Sequence, residues 1–230
     1  MPRKNKLIRP FVTNITQLFI ILASIPEPDF ILIDKLIINA KMNNIKPILI
    51  VNKCDLTFDV YNKVIKEYKN SGLEIIKIST KTKENIEIIK EKLKNNITSL
   101  AGQSATGKTS LLNLICGLNN KTNEVSEKIL RGKNTTTNAE LIVLDDTSFL
   151  LDTAGFSRLD LSNLNPKEIK NYYEEFNDFV CDFKNCDHVL EGEKHCKVIK
   201  EIAKSIDTNR YERYKQIYLD CKENWSKRYD

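Results

Sequence analysis

Short apolar runs alternate with longer amphipathic segments through the first half of the chain. The apolar runs have the length of buried strands, and the longer segments carry apolar residues at helical spacing. The predicted strands are 18–25, 47–51, 74–79 and 97–101, and the predicted helices are 29–43, 58–70, 84–94 and 108–117. This alternation is typical of an α/β fold in which a mostly parallel sheet has helices on both faces.

The pattern changes in the second half of the chain. Two short apolar runs, 139–144 and 148–151, flank Asp145 and Asp146, which predicts a β-hairpin. Beyond about Pro166 the sequence is rich in lysine and glutamate and contains a cysteine cluster, which predicts a small helical unit. We place the boundary between the two parts within residues 160–168.

The composition is typical of a folded, soluble protein. Of 230 residues, 41% are hydrophobic and 29% are charged, and the net charge of +5 permits a nucleic-acid partner without requiring one. A basic start followed by the apolar run 18–25 imitates a signal peptide, but polar residues separate the two. No run approaches the roughly 18–20 apolar residues of a membrane span. We therefore expect a cytoplasmic protein without a membrane partner.

The strongest local motif lies between the predicted strand 97–101 and a predicted helix. Residues 102–109 match the phosphate-loop pattern G-x-x-x-x-G-K-[ST]. Backbone N–H groups of such a loop surround phosphate oxygens, Lys108 would contact the β- and γ-phosphates, and Thr109 would ligate Mg²⁺. The alternative is a chance glycine turn with a surface lysine. The predicted nucleotide-binding residues of this segment are Gly102, Gln103, Ser104, Ala105, Thr106, Gly107, Lys108, Thr109 and Ser110.

A second motif indicates which base is bound. The tetrad N-K-x-D that follows the strand 47–51 consists of Asn52, Lys53, Cys54 and Asp55. The Asp55 carboxylate can accept from both the ring N–H and the exocyclic amine of guanine, and adenine lacks this pair of donors. We expect the first two residues to tie the loop to the nucleotide pocket, and Ser79 and Thr80 to support it.

A third motif, D-x-x-G, follows the predicted strand 148–151. We expect Asp152 to hold Mg²⁺ through a water and the Gly155 N–H to sense the γ-phosphate. One threonine hydroxyl of the polar loop 131–137 would complete the Mg²⁺ shell, and Thr136 is our candidate. A serine–threonine turn is the alternative interpretation of this loop. The predicted catalytic residues are Lys108, Thr109, Thr136, Asp152 and Gly155.

The order of the motifs differs from that of ordinary GTPases. In those proteins the phosphate loop comes first and N-K-x-D last, whereas here residues 52–55 precede residues 102–109. The pattern therefore predicts a P-loop GTPase fold whose chain is circularly permuted. Because the elements that sense hydrolysis then lead into the C-terminal part, we expect their movement to be transmitted to residues beyond 160.

The permuted order, the segment Arg9–Gln17 and the C-terminal cysteine–histidine cluster together resemble the RsgA (YjeQ/EngC) family. The resemblance covers essentially the whole chain, from about Arg3 to Tyr214. It implies a GTPase of small-ribosomal-subunit (30S) maturation that binds GTP, Mg²⁺ and 16S rRNA and leaves the subunit after hydrolysis. It also implies one structural zinc ion in a small α-helical C-terminal subdomain. We expect the protein to be a monomer.

The residues themselves also support a zinc site. Three thiolates and one imidazole form a set suited to a closed tetrahedral site, and the alternative is three free cysteines near a histidine. The last gap between ligands is two residues longer than the usual five of the family, which makes His195 an alternative ligand. We expect the metal to hold together a subdomain with too little apolar surface of its own. The predicted ligands are Cys181, Cys186, His188 and Cys196.

Three residues depart from patterns in related enzymes. Phe156 follows Gly155 where Ras-like enzymes carry a water-orienting glutamine; this is normal in the RsgA family and implies slow hydrolysis that awaits a partner. Asn134 stands where the family often has a histidine, so we expect weaker turnover. Ala105 replaces a phosphate-loop glycine, but the motif does not require glycine there, and we expect nucleotide binding to survive.

Relatives in this family carry an N-terminal OB-fold barrel, of which residues 1–10 resemble only the final stretch. A fragment, a late start and a true absence of the barrel all stay open as explanations. We assign residues 11–165 to the GTPase domain and 166–230 to the zinc-binding domain. The basic first residues and the segment Arg210–Tyr214 are candidates for RNA contact, with a solvated charged face as the alternative.

Two other functions fit parts of the pattern. A ribosome-associated module that binds guanine nucleotide with little or no turnover would agree with Asn134 and the short N-terminus. A metabolic P-loop kinase would need an acceptor-substrate site and would have no guanine tetrad. Asn52, Lys53 and Asp55 therefore argue against the kinase.

Overall fold

The computed structural model describes residues 14–56, 59–117, 129–130, 139–153, 161 and 164–227, with the backbone alone for 129–130, 139–140 and 152–153. The strands are β1 Gln17–Ala23, β2 Lys46–Asn52, β3 Glu74–Lys77, β4 Ile97–Ala101, β5 Ile129–Leu130, β6 Ala139–Val143 and β7 Phe149–Thr153. The α-helices are α1 Phe30–Met42, α2 Val60–Glu67, α3 Ile86–Leu93, α4 Lys108–Cys116, α5 Gly192–His195, α6 Lys197–Lys200 and α7 Thr208–Ser226. Two 3₁₀ helices, Pro166–Tyr172 and Glu174–Phe176, precede α5.

The described strands form one sheet in the order β3-β2-β1-β4-β7-β6-β5. The first five strands in this order run parallel, and β6 and β5 are antiparallel to their neighbours. The predicted mostly parallel sheet and the predicted hairpin are therefore confirmed. The ends of the predicted elements differ from the observed ones by only a few residues.

Helices cover both faces of the sheet because consecutive residues of each strand point to opposite sides. On one face, Leu18, Ile20 and Leu22 of β1 pack in a cluster with apolar residues of α1 and α2. On the other face, Phe19 and Ile21 pack in a cluster with residues of α3 and α4. Every residue of β1 is buried, which explains why its sequence is a continuous apolar run from Leu18 to Ala23.

The parallel strands bring their carboxyl ends to one edge of the sheet. The chain proceeds outwards from β1 to β2 and β3, and then returns to the other side of β1 as β4. Such a reversal of strand order leaves a crevice between the loops that follow the two central strands, which is where ligands bind in open α/β sheets. Here those loops are residues 24–29 after β1 and residues 102–107 after β4.

The C-terminal part is helical, as predicted, but one expectation about it is wrong. A buried aromatic and aliphatic cluster, which includes Tyr173, Phe176, Tyr211, Tyr214 and Ile217, packs within this part and against Ile38 of α1. The subdomain therefore has an apolar core of its own, and a bound metal adds to that core rather than replacing it. Among the described residues, no helix combines the length and apolarity that a membrane crossing requires.

Helix α7 docks on α1 through a buried ionic network. Asp34 of α1 accepts hydrogen bonds from Nη1 of Arg210 and, over 2.7 Å, from Nε of Arg213. Glu175 accepts from Nε of Arg210 over 2.8 Å, and Glu67 of α2 accepts from Nη1 of Arg213 over 2.6 Å. All five side chains are buried. Both earlier interpretations of Arg210–Tyr214, an RNA contact or a solvated charged face, are therefore wrong for the two arginines.

Candidate nucleotide pocket and metal centre

The loop after β2 is bonded directly to the phosphate loop. The side-chain amide of Asn52 donates to the carbonyl oxygen of Thr106 over 2.9 Å, and its Oδ1 accepts from the backbone N–H of Thr80 over 3.1 Å. Asn52 is fully buried at the end of β2. Three loops at the carboxyl edge of the sheet are thus joined through one side chain.

Lys53 adds a second connection between the same loops. Its ammonium group donates to the carbonyl oxygen of Ala105 over 2.8 Å and to that of Ile25 over 2.6 Å. The lysine therefore links the tetrad to both loops of the crevice, after β4 and after β1. The structure thus brings the first two tetrad residues into contact with the phosphate loop.

Asp55 is hydrogen-bonded to Ser79, one of the two residues that we expect to support the base loop. The Ser79 hydroxyl donates to Oδ1 of Asp55 over 2.6 Å, and this hydrogen bond holds the pKa of the carboxyl group below its ordinary value. Asp55 is therefore an ionised acceptor at neutral pH, as recognition of a guanine edge requires. The backbone N–H of Cys54 donates to the carbonyl oxygen of Ile78 over 3.1 Å, which fixes the tetrad against the residue that follows β3.

The phosphate loop passes too close to its neighbours for side chains at its two glycines. A Cβ atom on Gly102 would lie 2.1 Å from the carbonyl oxygen of Ile21, and one on Gly107 would lie 2.2 Å from Nδ2 of Asn52. Both glycines also have positive φ angles. The Lys108 ammonium donates to the carbonyl oxygen of Gly102 over 2.9 Å and to that of Gln103, so it lies inside the curl of the loop.

The remaining residues of the motif divide into buried and exposed groups. Thr106 is fully buried, and its hydroxyl donates to the carbonyl oxygen of Gln103 over 3.0 Å. Ala105 has a φ of +63°, a left-handed conformation that is strained for any residue with a Cβ. The exposed side chains are those of Ser104, Ala105, Thr109 and Ser110.

Several residues predicted to act at the phosphate end of the pocket have no described side chain. The backbone of Asp152 lies near the end of β7, in register with Leu100 of the adjacent parallel strand β4. The residue that precedes the phosphate loop, Ala101, directly follows Leu100. The predictions for Asn134, Thr136, Gly155 and Phe156 lie outside the described residues.

Sequence reasoning missed the contacts between the phosphate loop and the loop after β1. Oε1 of Gln103 accepts from the backbone N–H of Asp29 over 2.8 Å, and its Nε2 donates to the carbonyl oxygen of Glu27 over 3.2 Å. Gln103 occupies a variable position of the motif, and nothing in the sequence pattern indicates these partners. The loop 24–29 is therefore part of the pocket wall.

The four predicted metal ligands converge in the C-terminal part. Their donor atoms all lie within 4.8 Å of one another, in a cluster of Cys181, Cys186, His188 and Cys196. Nδ1 of His188 lies 3.5 Å from Sγ of Cys181 and 3.4 Å from Sγ of Cys196, and the two sulfur atoms are 3.7 Å apart. Zinc–sulfur bonds of ~2.3 Å in a tetrahedron give edges of about 3.8 Å, so the cluster fits one structural zinc ion.

The environment of the cluster agrees with metal binding. Burial, followed by the charge of Lys170, lowers the pKa of His188 to about 4, so the imidazole is neutral and able to ligate at physiological pH. The backbone N–H of Lys197 donates to Sγ of Cys181 over 3.3 Å, a contact that stabilises a thiolate. The alternative ligand His195 instead pairs with Asp182 over 3.2 Å and lies outside the cluster.

Helix α7 holds the ligand-bearing loop through three tyrosines. The Tyr211 hydroxyl donates to the carbonyl oxygen of His188 over 2.7 Å, and the Tyr218 hydroxyl donates to Oδ2 of Asp187 over 2.8 Å. The Tyr214 hydroxyl donates to the carbonyl oxygen of Asp187. The position of His188 is therefore set by the same helix that carries the two buried arginines.

The chain is similar to known proteins along most of its length. The family model described as RsgA GTPase matches residues 1–162. A protein of Ruminiclostridium cellulolyticum named small ribosomal subunit biogenesis GTPase RsgA is 40% identical over 228 residues, which are 97% of this chain and 74% of the relative. The protein of the same name from Thermotoga maritima is 39% identical over 223 residues, or 95% of this chain and 75% of the relative.

Solved structures show the same similarity in three dimensions. The crystal structure of YjeQ from Thermotoga maritima superposes with a TM-score of 0.78 at 32% identity, over 96% of this chain and 76% of the other. The structure of YloQ, described as a circularly permuted GTPase, has a TM-score of 0.74 at 25% identity, over 97% of this chain and 74% of the other. The predicted permuted fold is therefore confirmed.

Proposed function

Since this chain belongs to the RsgA GTPase family, we propose that it hydrolyses GTP in late maturation of the small ribosomal subunit. It would bind the 30S subunit and its 16S rRNA and leave after hydrolysis. The observation that carries the proposal is the contact between the two nucleotide-binding motifs: Asn52 and Lys53 each donate to a carbonyl oxygen of the phosphate loop. A single nucleotide therefore has its base at Asp55 and its phosphates at Lys108.

The described residues that carry this proposal have three roles. Asp55 accepts from guanine, while Asn52 and Lys53 hold the base loop against the phosphate loop. The nucleophile is water, and no covalent intermediate with the protein forms. The Lys108 ammonium and the backbone N–H groups of residues 102–109 stabilise the charge on the transferred phosphoryl group.

The pocket offers oxygen ligands suited to Mg²⁺. Thr109 lies exposed in the first turn of α4, and Asp152 lies near the end of the strand beside β4. A hydroxyl and a carboxylate from these positions are hard ligands of the kind that Mg²⁺ prefers, and we assign them to hold it, with Thr136 completing the set. When bound, Mg²⁺ neutralises charge on the β- and γ-phosphate oxygens. Gly155 keeps its proposed role at the γ-phosphate.

The zinc ion has a structural role and takes no part in hydrolysis. We propose that residues 11–165 form the GTPase domain and that residues 166–230 form the zinc-binding domain. We further propose a cytoplasmic monomer, which light scattering on a size-exclusion column tests for oligomeric state. A dimer mass would contradict that part of the proposal.

The function is tested by nucleotide binding and by turnover. Calorimetric titration of the protein with each nucleotide, in the presence of Mg²⁺, is expected to show binding of GTP and GDP and at least tenfold weaker binding of ATP. Hydrolysis of GTP is expected to be slow for the protein alone and faster with purified small ribosomal subunits. Lys108→Ala serves as the inactive control.

Two results would count against the proposal. Equal affinities for GTP and ATP would remove the role of Asp55. GTP-dependent association with the subunit without any turnover would instead identify a nucleotide-binding module.

A further inference from the structure

The loop between β1 and α1 is bonded to the phosphate loop and to the base loop. Gln103 accepts from the N–H of Asp29 over 2.8 Å and donates to the carbonyl oxygen of Glu27 over 3.2 Å. Lys53 donates to the carbonyl oxygen of Ile25 over 2.6 Å. A shift of the phosphate loop therefore acts on residues 25–29 directly.

The same loop fixes the start of helix α1. Asp29 is the N-cap residue, and its carboxylate accepts from the N–H of Leu32 over 3.0 Å. Because α1 is a regular helix of 13 residues, it moves as a stiff body of about 20 Å. A displacement of Asp29 is therefore passed on to the rest of the helix.

The next turn of α1 is held from the other side by helix α7. Oδ1 and Oδ2 of Asp34 accept from Arg210 and Arg213 respectively, and the Tyr68 hydroxyl adds a bond of 2.5 Å to Oδ1. The Arg210 guanidinium lies 4.6 Å from the ring centre of Tyr68 and 4.2 Å from that of Tyr173. If α1 shifted relative to α7, these buried charges would lose their partners, which is energetically costly. The contact therefore holds the two helices in one relative position.

Helix α7 in turn holds the metal-ligand loop through the hydroxyls of Tyr211, Tyr214 and Tyr218. A continuous series of polar contacts thus runs from the phosphate loop through α1 and α7 to His188. All of its members are described side chains or backbone groups, and none belongs to the D-x-x-G or threonine-loop motifs.

We propose that Gln103 and Arg213 are positioning residues for the nucleotide site and act on each other through helix α1. Arg213 attaches helix α7 to Asp34 of helix α1. Gln103 attaches the phosphate loop to Asp29 at the start of the same helix. Nucleotide binding and docking of α7 are then coupled, and by thermodynamic linkage each strengthens the other by the same factor. The inference rests on the proposed nucleotide site. Arg213 lies outside the GTP-binding motifs, and Gln103 occupies a variable position of the phosphate-loop motif.

A double-mutant cycle with GDP as ligand tests the coupling without hydrolysis. Affinity is measured by titration for the wild type, Gln103→Leu, Arg213→Met and the double variant. We expect Arg213→Met to weaken GDP binding about fivefold or more in the wild-type background and to have no further effect beside Gln103→Leu. Lys215→Met, a partly exposed position two residues along the same helix, is the matched control and is expected to leave the affinity unchanged.

Two results of the cycle would overturn the proposal. One is a folded Arg213→Met variant whose GDP affinity equals that of the wild type. The other is a double variant in which the two effects multiply, which would mean independent action. Loss of stability alone would not make the effect of Arg213→Met depend on residue 103.

Amide hydrogen exchange gives an independent test in case Arg213→Met does not fold. Saturating GDP is expected to slow exchange in residues 186–196 and 208–226 of the wild type, and this slowing is expected to vanish in Gln103→Leu that is also saturated with GDP. Equal slowing in both proteins would contradict the link. A wild type that binds no GDP would instead contradict the proposed function, so the two failures are distinguishable.

Discussion

The side-chain amide of Asn52 donates to the carbonyl oxygen of Thr106 over 2.9 Å, although the two residues belong to different motifs 54 positions apart. The contact is buried, and it is shorter than the two hydrogen bonds that the Asn52 side chain makes with Thr80. The two loops are therefore arranged relative to each other by the protein itself. This pre-arrangement lowers the ordering cost that a nucleotide would otherwise meet on binding.

Asn52→Ala is expected to weaken GTP and GDP alike and to destabilise the fold. The variant leaves the carbonyl oxygen of Thr106 and the N–H of Thr80 without their partner, at a cost of about 1–3 kcal/mol. Urea unfolding and nucleotide titration measure the two effects. Asn224→Ala, which removes an exposed intrahelical bond in α7, is the control. An unchanged midpoint of unfolding for Asn52→Ala would show that the loops hold their places without it.

Asp55→Asn is expected to reduce GTP affinity by roughly tenfold or more while leaving the weak affinity for ATP unchanged. The variant replaces an acceptor by an amide that cannot accept both guanine donors. Because the hydroxyl of Ser79 lowers the pKa of Asp55 from 3.8, the carboxylate stays ionised down to pH values below 3.8. Loss of GTP affinity between pH 8 and pH 5 would therefore have to arise from another group. Glu87→Gln, an exposed carboxylate on α3, controls for the change in charge.

Ala105→Gly is expected to stabilise the protein by about 1 kcal/mol. The φ of +63° at this position is strained for alanine and relaxed for glycine, and the exposed methyl group makes little packing contribution. For a chain of this size the change corresponds to a rise in melting temperature of about 2–4 °C. Ala40→Gly, in the buried interior of α1, should shift the melting temperature the opposite way. A lower melting temperature for Ala105→Gly would contradict this prediction and would show that the methyl group contributes more to stability than the strained φ angle costs.

His188→Ala and His195→Ala are expected to differ sharply in zinc content. His188 belongs to the four-ligand cluster, whereas His195 pairs with Asp182 and packs against Phe183. The first variant should lose most of its zinc and unfold at a lower temperature, and the second should keep one zinc ion per chain. Elemental analysis of the dialysed proteins measures the difference. Full zinc occupancy in His188→Ala together with loss in His195→Ala would reverse the ligand assignment.

The parts of the site that depend on local pattern could be predicted from the sequence. The strand and helix periods place residues 52–55 and 102–109 at the ends of parallel strands, and these ends necessarily meet at one edge. The metal ligands lie within 16 residues of each other, so their clustering also had a local signal. Ser79 was singled out because it lies at the end of a predicted strand.

The parts that depend on distant partners could not be predicted. Arg210 and Arg213 are three positions apart and therefore lie on one face of α7, beside the buried Tyr214 and Ile217. That position hinted at burial, but their common partner Asp34 lies in the middle of an apolar helix far earlier in the chain. The contacts of Gln103 were missed for a similar reason, since they depend on the path of the loop 24–29.

The buried network also has a consequence for the order of events during synthesis of the protein. Asp34 leaves the ribosome 176 residues before Arg210 and 179 residues before Arg213. Until those residues emerge, the Asp34 carboxylate has the Tyr68 hydroxyl as a partner but neither of its buried cations, and burying it in that state is unfavourable. Contacts of such long sequence separation form slowly and leave the incomplete chain open to aggregation. The docking of α1 on α7 is therefore completed only after α7 has been translated.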